Sequence, residues 1–330
     1  HIQMPLLNVK MEKNCTYWIQ NMKNEKVFIT GGAGFLGKNI IKRLYNDNEI
    51  TVYSRDESKH YYLKKEFPNV NFVVGDIRNR DLLLRKSKNH SVGIFAASLK
   101  QIDSCTENYE EASKIIIDGA INSRIISEEN NFKSASFIST DKSRASTTIY
   151  GAMKFVAGES FIVNESNCNL TTVIYGNVTN STGSIIPLIW ESISKNQTLT
   201  LYDPNMTRFL LDVDDAIDLI LKSQRYSNCN VIPVSKSFKI LDLFEIFKNE
   251  FGLNYVLGIP RVGEKIHEIM ASSEEIRRME YVESDNIYLL HPKKSIGKVS
   301  FTDSEYSSKD SCLTYDELYN YFRSKNFYKP

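Results

Sequence analysis

The sequence has little of what would mark a nucleic-acid binder, a disulfide-stapled scaffold or a membrane span. Its 41 basic and 40 acidic side chains leave a formal net charge of +1 over 330 residues. There is no basic excess and no clustered basic face for a polyanion to meet, so no nucleic-acid partner is expected. The lysines between Lys59 and Lys65 alternate with aromatic and acidic side chains and read as a solvated helix face. Cysteine is sparse: Cys15, Cys105, Cys168, Cys229 and Cys312 are scattered, odd in number and never spaced C-x-x-C. That argues against a disulfide framework and a cysteine metal site, and predicts reduced thiols in a cytoplasmic protein without a metal. No apolar run reaches the roughly 18 residues needed to cross a bilayer. The first 25 residues lack the apolar centre of a signal peptide. His1-Ile2-Gln3 ahead of Met4 reads as a cloning remnant, and residues 1–24 as an arm that Trp18 could pin to the surface.

What is present is enough apolar material for a sizeable core, with 42% of residues hydrophobic. The length suits one large or two interlocked domains. Short apolar strands are expected at Lys26–Thr30, Ile50–Tyr53, Asn71–Val74, Val92–Ala96, Ser134–Ser139 and Leu170–Tyr175. Helical stretches lie between them near Phe35–Tyr45, Lys59–Phe67, Asp81–Lys88, Tyr109–Glu129 and Tyr150–Asn164. Such alternation predicts an α/β fold, a Rossmann-type doubly wound parallel sheet with helices on both faces. Beyond Gly176 the pattern turns irregular, with short elements at Ser184–Lys195, Val213–Ser223, Ile240–Phe251 and Glu264–Ala271. We therefore expect a dinucleotide-binding domain over 25–175 and a smaller α/β substrate domain over 176–330, partly interwoven with the first.

The first strand runs into Gly31-Gly32-Ala33-Gly34-Phe35-Leu36-Gly37, and a helix follows. Gly31, Gly34 and Gly37 are spaced G-x-x-G-x-x-G. This suits a tight turn, close approach of backbone to a pyrophosphate, and helix N-terminal amides aimed at its charge. A glycine pattern alone is weak; its place between strand and helix is what supports it. The second strand ends in Tyr53-Ser54-Arg55-Asp56. An NAD site usually places a carboxylate there for the ribose 2′-hydroxyl. Ser54 and Arg55 offer a hydroxyl and a guanidinium instead, which suit the 2′-phosphate of NADP. Asp76, followed by Ile77, is placed to reach the adenine, and Ala96-Ala97 are small enough to let a cofactor lie against the sheet edge.

The fifth strand ends at Ser139-Thr140-Asp141-Lys142, and Tyr150-Gly151-Ala152-Met153-Lys154 follows. Tyr150 and Lys154, four apart, share one helix face. An ammonium beside a phenol lowers its pKa and lets a phenolate act as base. Such a pair recurs by chance in many helices; its position after strand five, with Ser139-Thr140 ahead, makes it a catalytic candidate.

With these residues in place, the chain resembles an extended short-chain dehydrogenase/reductase, and within that group the C5-inverting UDP-N-acetylglucosamine 4,6-dehydratases. The stretches that carry the resemblance are TGGAGFLG, YSRDE, GDIRN, AASLKQI, STDK, YGAMK, YGNV, DPNMTRF, RVGEKIHE and EYSS, in order from Thr30 to Ser308. The retaining dehydratases would carry a Glu after Asp141; here stands Lys142. The resemblance implies Thr140, Asp141, Lys142, Tyr150 and Lys154 as catalytic residues. A mechanism follows in which Tyr150 takes the O4 proton, a neutral Lys142 takes the C5 proton and a protonated Asp141 donates to the departing O6. Both Asp141 and Lys142 then need shifted pKa values. The resemblance also places Lys100 against sugar and nicotinamide, Asn177 and Val178 at the sugar nucleotide, Arg208 and Arg261 on the diphosphate and Glu264 on the ribose. Tyr306-Ser307-Ser308 falls in a loop near the substrate, and His267 reads as a packing residue in a helix. Ile115-Ile116, Ile174 and Thr182 replace polar residues of the relatives. The helices at Tyr109–Glu129 and Tyr150–Asn164, through Ile115, Ile117, Phe155 and Phe161, are expected to pair chains into a homo-oligomer.

Two other readings keep part of this. A nucleotide-sugar 4-epimerase or 4-reductase needs the Tyr–Lys pair but no acid–base pair for elimination, so Asp141-Lys142 discriminates. A non-enzymatic NADP-sensing protein on the same scaffold would typically have lost the Tyr–Lys pair, which is present.

Overall fold

The computed structural model describes residues 22–260, 263–294 and 305–330. Most of the expected arm, with Cys15 and Trp18, and the expected ligand residue Arg261 lie outside the described residues. Six strands form where apolar runs were expected: β1 (Lys26–Thr30), β2 (Glu49–Ser54), β3 (Asn71–Val74), β4 (Val92–Phe95), β5 (Ser134–Ile138) and β6 (Asn169–Val173). Between them run α1 (Phe35–Leu44), α2 (Glu57–Glu66), α3 (Arg80–Lys86), α4 (Ile102–Glu107), α5 (Tyr109–Ser113), α6 (Gly119–Glu129) and α7 (Ile149–Ile162). β4 and β5 are buried at every position, as strands covered on both faces must be. All six pair in parallel in the order β3-β2-β1-β4-β5-β6. The direction of winding reverses between β1 and β4, where a crevice opens at the carboxyl ends of the strands.

The second half contributes β7 (Thr198–Leu201), β8 (Thr207–Phe209), β9 (Cys229–Pro233), β10 (Ser237–Lys239), β11 (Asn254–Leu257), β12 (Ile269–Ala271), β13 (Met279–Val282), β14 (Ile287–Leu290) and β15 (Tyr306–Ser307). Its helices are α8 (Ile185–Ser194), α9 (Val213–Ser223), α10 (Ile240–Phe251) and α11 (Tyr315–Ser324). β9 joins β6 in parallel, and β14 and β13 add antiparallel beyond it. Three strands from beyond Gly176 thus complete a nine-stranded sheet. The pairs β7–β11, β8–β10 and β12–β15 form three small two-stranded sheets. Ile189, Leu243, Phe247 and Phe322 of α8, α10 and α11 close a separate apolar core.

Two expectations change. The helix expected over Tyr109–Glu129 is interrupted at Lys114–Asp118 by a π-helical turn. The wider turn shifts the helical phase, and both Ile115 and Ile116 become buried. Glu264–Ala271 contains no helix. Thr207 at the start of β8 takes this segment as an edge partner: its N–H donates to the Ile266 carbonyl at 2.9 Å. His267 Nδ1 sits 2.8 Å from Thr207 Oγ1, a packing role in a bridge and not on a helix face.

Candidate active site

Strand register brings the site together. Thr30 pairs with Tyr53 of β2 and Phe95 of β4, so Gly31, Ser54 and Ala96 leave the sheet side by side. Ile138 pairs with Val173, which releases Ser139–Lys142 beside Ile174–Asn177. A cavity of about 1270 Å³ runs along this edge. Gly31 has φ +71°, and a Cβ there would lie 2.7 Å from the Ala97 nitrogen. At Gly37 a Cβ would lie 2.4 Å from Gly32 Cα. The loop is thus packed onto β4 and onto itself. Gly34, at the N-cap of α1, brings no side chain to occupy the first amides. Ala33, Gly34, Phe35, Leu36 and Gly37 all line the cavity, as do Ala96 and Ala97. Unshielded amides at a helix N-terminus facing open space fit a pyrophosphate.

At the far end of this groove Ser54, Arg55 and Ile77 line the cavity. Ser54 Oγ lies 2.6 Å from His60 Nε2, and the half-exposed Arg55 guanidinium reaches 3.9 Å from Asp76. Asp76 itself does not line the cavity. Its carboxylate takes Arg78 Nε and Nη2 at 2.9 and 2.7 Å, and this guanidinium holds it below the usual carboxylate range.

The catalytic candidates meet midway. Thr148 caps α7 by accepting the Gly151 N–H at 3.1 Å, which sets Tyr150 on the first turn. Asp141 is buried and accepts the Thr140 hydroxyl at 3.0 Å. Lys142 Nζ lies 3.3 Å from Asp141 Oδ1, 3.3 Å from Asn177 Oδ1 and 3.4 Å from Glu268 Oε1. Burial raises the Asp141 pKa, against the opposing pull of Lys142. Burial pulls Lys142 down, but the Asp141 and Glu268 carboxylates outweigh it and the net shift is upward. The two carboxylates therefore favour the ammonium form of Lys142 at rest, whereas the base role that the resemblance implies needs the neutral amine. The Tyr150 phenol is pushed up to about 12 by burial, with Lys142 opposing. Lys154 is pulled down to about 7 by burial. Its Nζ donates to the Ile138 carbonyl at 2.8 Å and lies 4.8 Å from the Phe137 ring centre. Lys142 is thus a cation that acts on the phenol, whereas burial favours the neutral amine of Lys154, whose Nζ rests against the end of β5.

Around this centre, Lys100 donates to the Thr182 carbonyl at 2.7 Å across the cavity. Asn177, Val178, Arg208 and Glu264 line it. Arg208 Nε and Nη2 approach Glu268 and Glu264 at 3.5 and 3.7 Å. A second cavity of about 430 Å³ opens past Arg208 and Glu264 between Leu199, Tyr202 and Phe244. Tyr306, Ser307 and Ser308 do not line either cavity. They are pinned behind it: the Tyr306 hydroxyl donates to the Pro233 carbonyl at 3.1 Å, and Ser308 Oγ accepts the Glu268 N–H at 2.9 Å. Of the departures, Ile115 lines the cavity and Ile174 is core. Sequence reasoning missed Glu268. Its signal was its place in RVGEKIHE, directly after His267.

A glycine-turn crevice at the switch point, with a tyrosine and lysine one helical turn apart beside it, defines a Rossmann-type short-chain dehydrogenase/reductase. The sequence profile of the polysaccharide biosynthesis protein family matches residues 27–291, and the chain belongs to that family of nucleotide-sugar enzymes. It is 32% identical over 298 residues to the inverting UDP-N-acetylglucosamine 4,6-dehydratase of Campylobacter jejuni, covering 86% of each chain. It is also 32% identical to a UDP-glucose 4-epimerase of Rickettsia bellii, over 78% of this chain and 80% of the relative. The solved structure of Pen from Bacillus thuringiensis superimposes with a TM-score of 0.83 at 26% identity, covering 92% of this chain and 98% of that one. Among the described residues no helix is long and apolar enough to cross a membrane.

Proposed function

We propose that the chain is an NADP-dependent, C5-inverting UDP-N-acetylglucosamine 4,6-dehydratase, acting in the cytoplasm as a homo-oligomer. The observation that carries this is one cavity lined by Lys142 and Tyr150, with the buried Asp141 carboxylate 3.3 Å from Lys142 Nζ. A bound nicotinamide cofactor would supply hydride acceptance from C4 and hydride return to C6, so that the net chemistry is loss of water. The Gly31–Gly37 turn and the Ala96-Ala97 edge would hold its pyrophosphate and ring, and Ser54 and Arg55 a 2′-phosphate. Tyr150 accepts the O4 proton, and Lys100 and Asn177 orient the sugar. The 4-ketone acidifies the C5–H, which Lys142 removes once it has shed its own proton. Asp141, whose burial favours the acid, donates to the departing O6. Return of a proton to the opposite face of C5 inverts that centre. Arg208 and Glu264, which line the opening of the second cavity, would take the diphosphate and ribose of the uridine nucleotide.

A 4-epimerase is the competing reading, given the rickettsial relative. It would leave Asp141 and Lys142 without a task. The test is NMR of the product from UDP-N-acetylglucosamine in heavy water. We expect a 6-deoxy-4-keto sugar with deuterium at an inverted C5. A C4 epimer with no deuterium at C5 would establish the epimerase instead.

A further inference from the structure

Glu268 lines the cavity and has no task in the reading above. It is 3% exposed, and its backbone is fixed on both sides: the N–H donates to Ser308 Oγ at 2.9 Å, and the carbonyl accepts the Ser308 N–H at 2.8 Å. Its Oε1 lies 3.4 Å from Lys142 Nζ and 3.5 Å from Arg208 Nε. Its Oε2 is buried with no hydrogen-bond partner among the described residues. Lys265, Asp141 and the Tyr150 phenol also act on this cluster. A buried carboxylate with an orphaned oxygen is costly to keep, and groups held in such states cluster where protons move.

The elimination sets two conditions at once. Lys142 must begin without a proton, and Asp141 must begin with one. Lys142 rests as an ammonium, and a protonated Asp141 cannot receive its proton. A second acceptor within reach is required, and Glu268 is that carboxylate. Arg208 and Lys142 together keep it ionised in the empty site. An anion that engages Arg208 removes part of that stabilisation and raises the proton affinity of Glu268.

We propose that Glu268 takes the proton of Lys142 when an anionic group of the substrate engages Arg208, so that Lys142 is a base only in the occupied site. The N–H bond at Lys142 Nζ breaks and leaves its electron pair on nitrogen, and an O–H bond forms on the Glu268 carboxylate. Lys142 then accepts the C5 proton, whose bonding pair passes into the enolate of the 4-ketone. Once the leaving oxygen has taken the Asp141 proton, the Lys142 ammonium passes a proton to the Asp141 carboxylate and takes the one held by Glu268, which restores the acid, the ammonium and the Glu268 carboxylate. Glu268 thus acts through Lys142. The inference rests on Lys142 being the C5 base of a dehydratase.

The test compares the full-length chain with Glu268→Gln, both with NADP and UDP-N-acetylglucosamine in heavy water. Two rates are read: C4 oxidation, as reduced-nicotinamide absorbance in a single turnover, and deuterium uptake at C5. Glu268→Gln should keep C4 oxidation within about threefold and lose C5 exchange by about 10²-fold at neutral pH. The lost exchange should return by about tenfold per pH unit above neutrality, as Lys142 gives its proton to solvent instead. In the wild type the ratio of C5 exchange to C4 oxidation should stay flat with pH, a measurement that needs no variant. Full C5 exchange in Glu268→Gln, equal loss of both steps, or a wild-type ratio that climbs tenfold per pH unit overturns the role of Glu268. A wild type that makes no 6-deoxy product overturns the dehydratase reading itself.

Discussion

Lys142 and Lys154 carry the same amine in the same cavity, and their surroundings drive its proton affinity in opposite directions. Two carboxylates within 3.4 Å hold Lys142 charged, whereas burial takes Lys154, whose Nζ meets a carbonyl and a phenyl face, down to about 7. Side-chain identity alone predicts neither. The two proton-transfer steps should separate by substitution. Tyr150→Phe should abolish the rise in reduced-nicotinamide absorbance, because no base remains at O4. Lys142→Ala should let that rise occur but block deuterium uptake at C5. Each loss should be roughly 10²–10⁴-fold, the usual range for a positioned acid or base. Full turnover with C5 inversion in Lys142→Ala would remove Lys142 as the base. At the cofactor end, Arg55→Ala should weaken NADP relative to NAD. A charge-assisted hydrogen bond contributes about 1.5–3 kcal/mol, or roughly tenfold to a hundredfold in affinity. Unchanged affinities for both cofactors in a titration would remove the argument for NADP.

Among the elements, the glycine turn and α7 depend on backbone packing against backbone. A Cβ at Gly37 meets the Gly32 backbone, and one at Gly151 would lie 2.2 Å from the Lys142 carbonyl. The first contact fixes the cofactor turn, and the second presses the first turn of α7 against the Asp141–Ser143 turn. Gly37→Ala should therefore cost about 1–3 kcal/mol in stability by overpacking and weaken cofactor binding as well. Gly252 provides the contrast. It has φ +73° at the C-cap of α10 with nothing within 4 Å of a Cβ. Gly252→Ala should cost about 1 kcal/mol through backbone strain alone and leave cofactor affinity unchanged. Thermal melts with and without NADP separate the two effects. If Gly37→Ala binds NADP as the wild type does, the turn is not where the pyrophosphate lies.

For the whole molecule, the helices expected to pair chains have a divided surface. Ile115 and Phe161 are buried within the chain and cannot meet a partner, whereas Phe155 is exposed together with Ile121, Ile149 and Val156. These exposed side chains on α6 and α7 remain the basis for expecting a homo-oligomer. Light scattering at micromolar concentration should show at least a dimer, and Val156→Glu should reduce its mass; a monomeric wild type would count against the interface. The buried Lys154 also makes stability depend on pH. Its folded pKa, about 7, lies below its unfolded value near 10.4. Between these values the unfolded chain binds a proton that the folded chain does not, so this group makes the ligand-free protein more stable as pH rises from about 7 towards 10. Lys154→Met should remove that gain. Identical pH slopes for the two proteins in denaturant titrations would show that Lys154 keeps its charge when folded.

The sequence by itself determined the strand–helix alternation, the glycine turn after β1 and the adjacency of Asp141 with Lys142, because each is a local pattern whose physics acts within a few residues. Helix spacing was also enough to set Tyr150 and Lys154 on one face. Tertiary structure alone decided the charges. Lys142 is held as an ammonium by Asp141, its neighbour in sequence, and by Glu268, 126 positions away, which only the fold brings to it, and burial in the folded chain lowers the proton affinity of Lys154. It also decided that Tyr306–Ser308 lies behind the cavity, through a ribbon paired with β12. Burial and long-range ion pairing are sums over the whole fold, and they set proton affinities that no local spacing encodes.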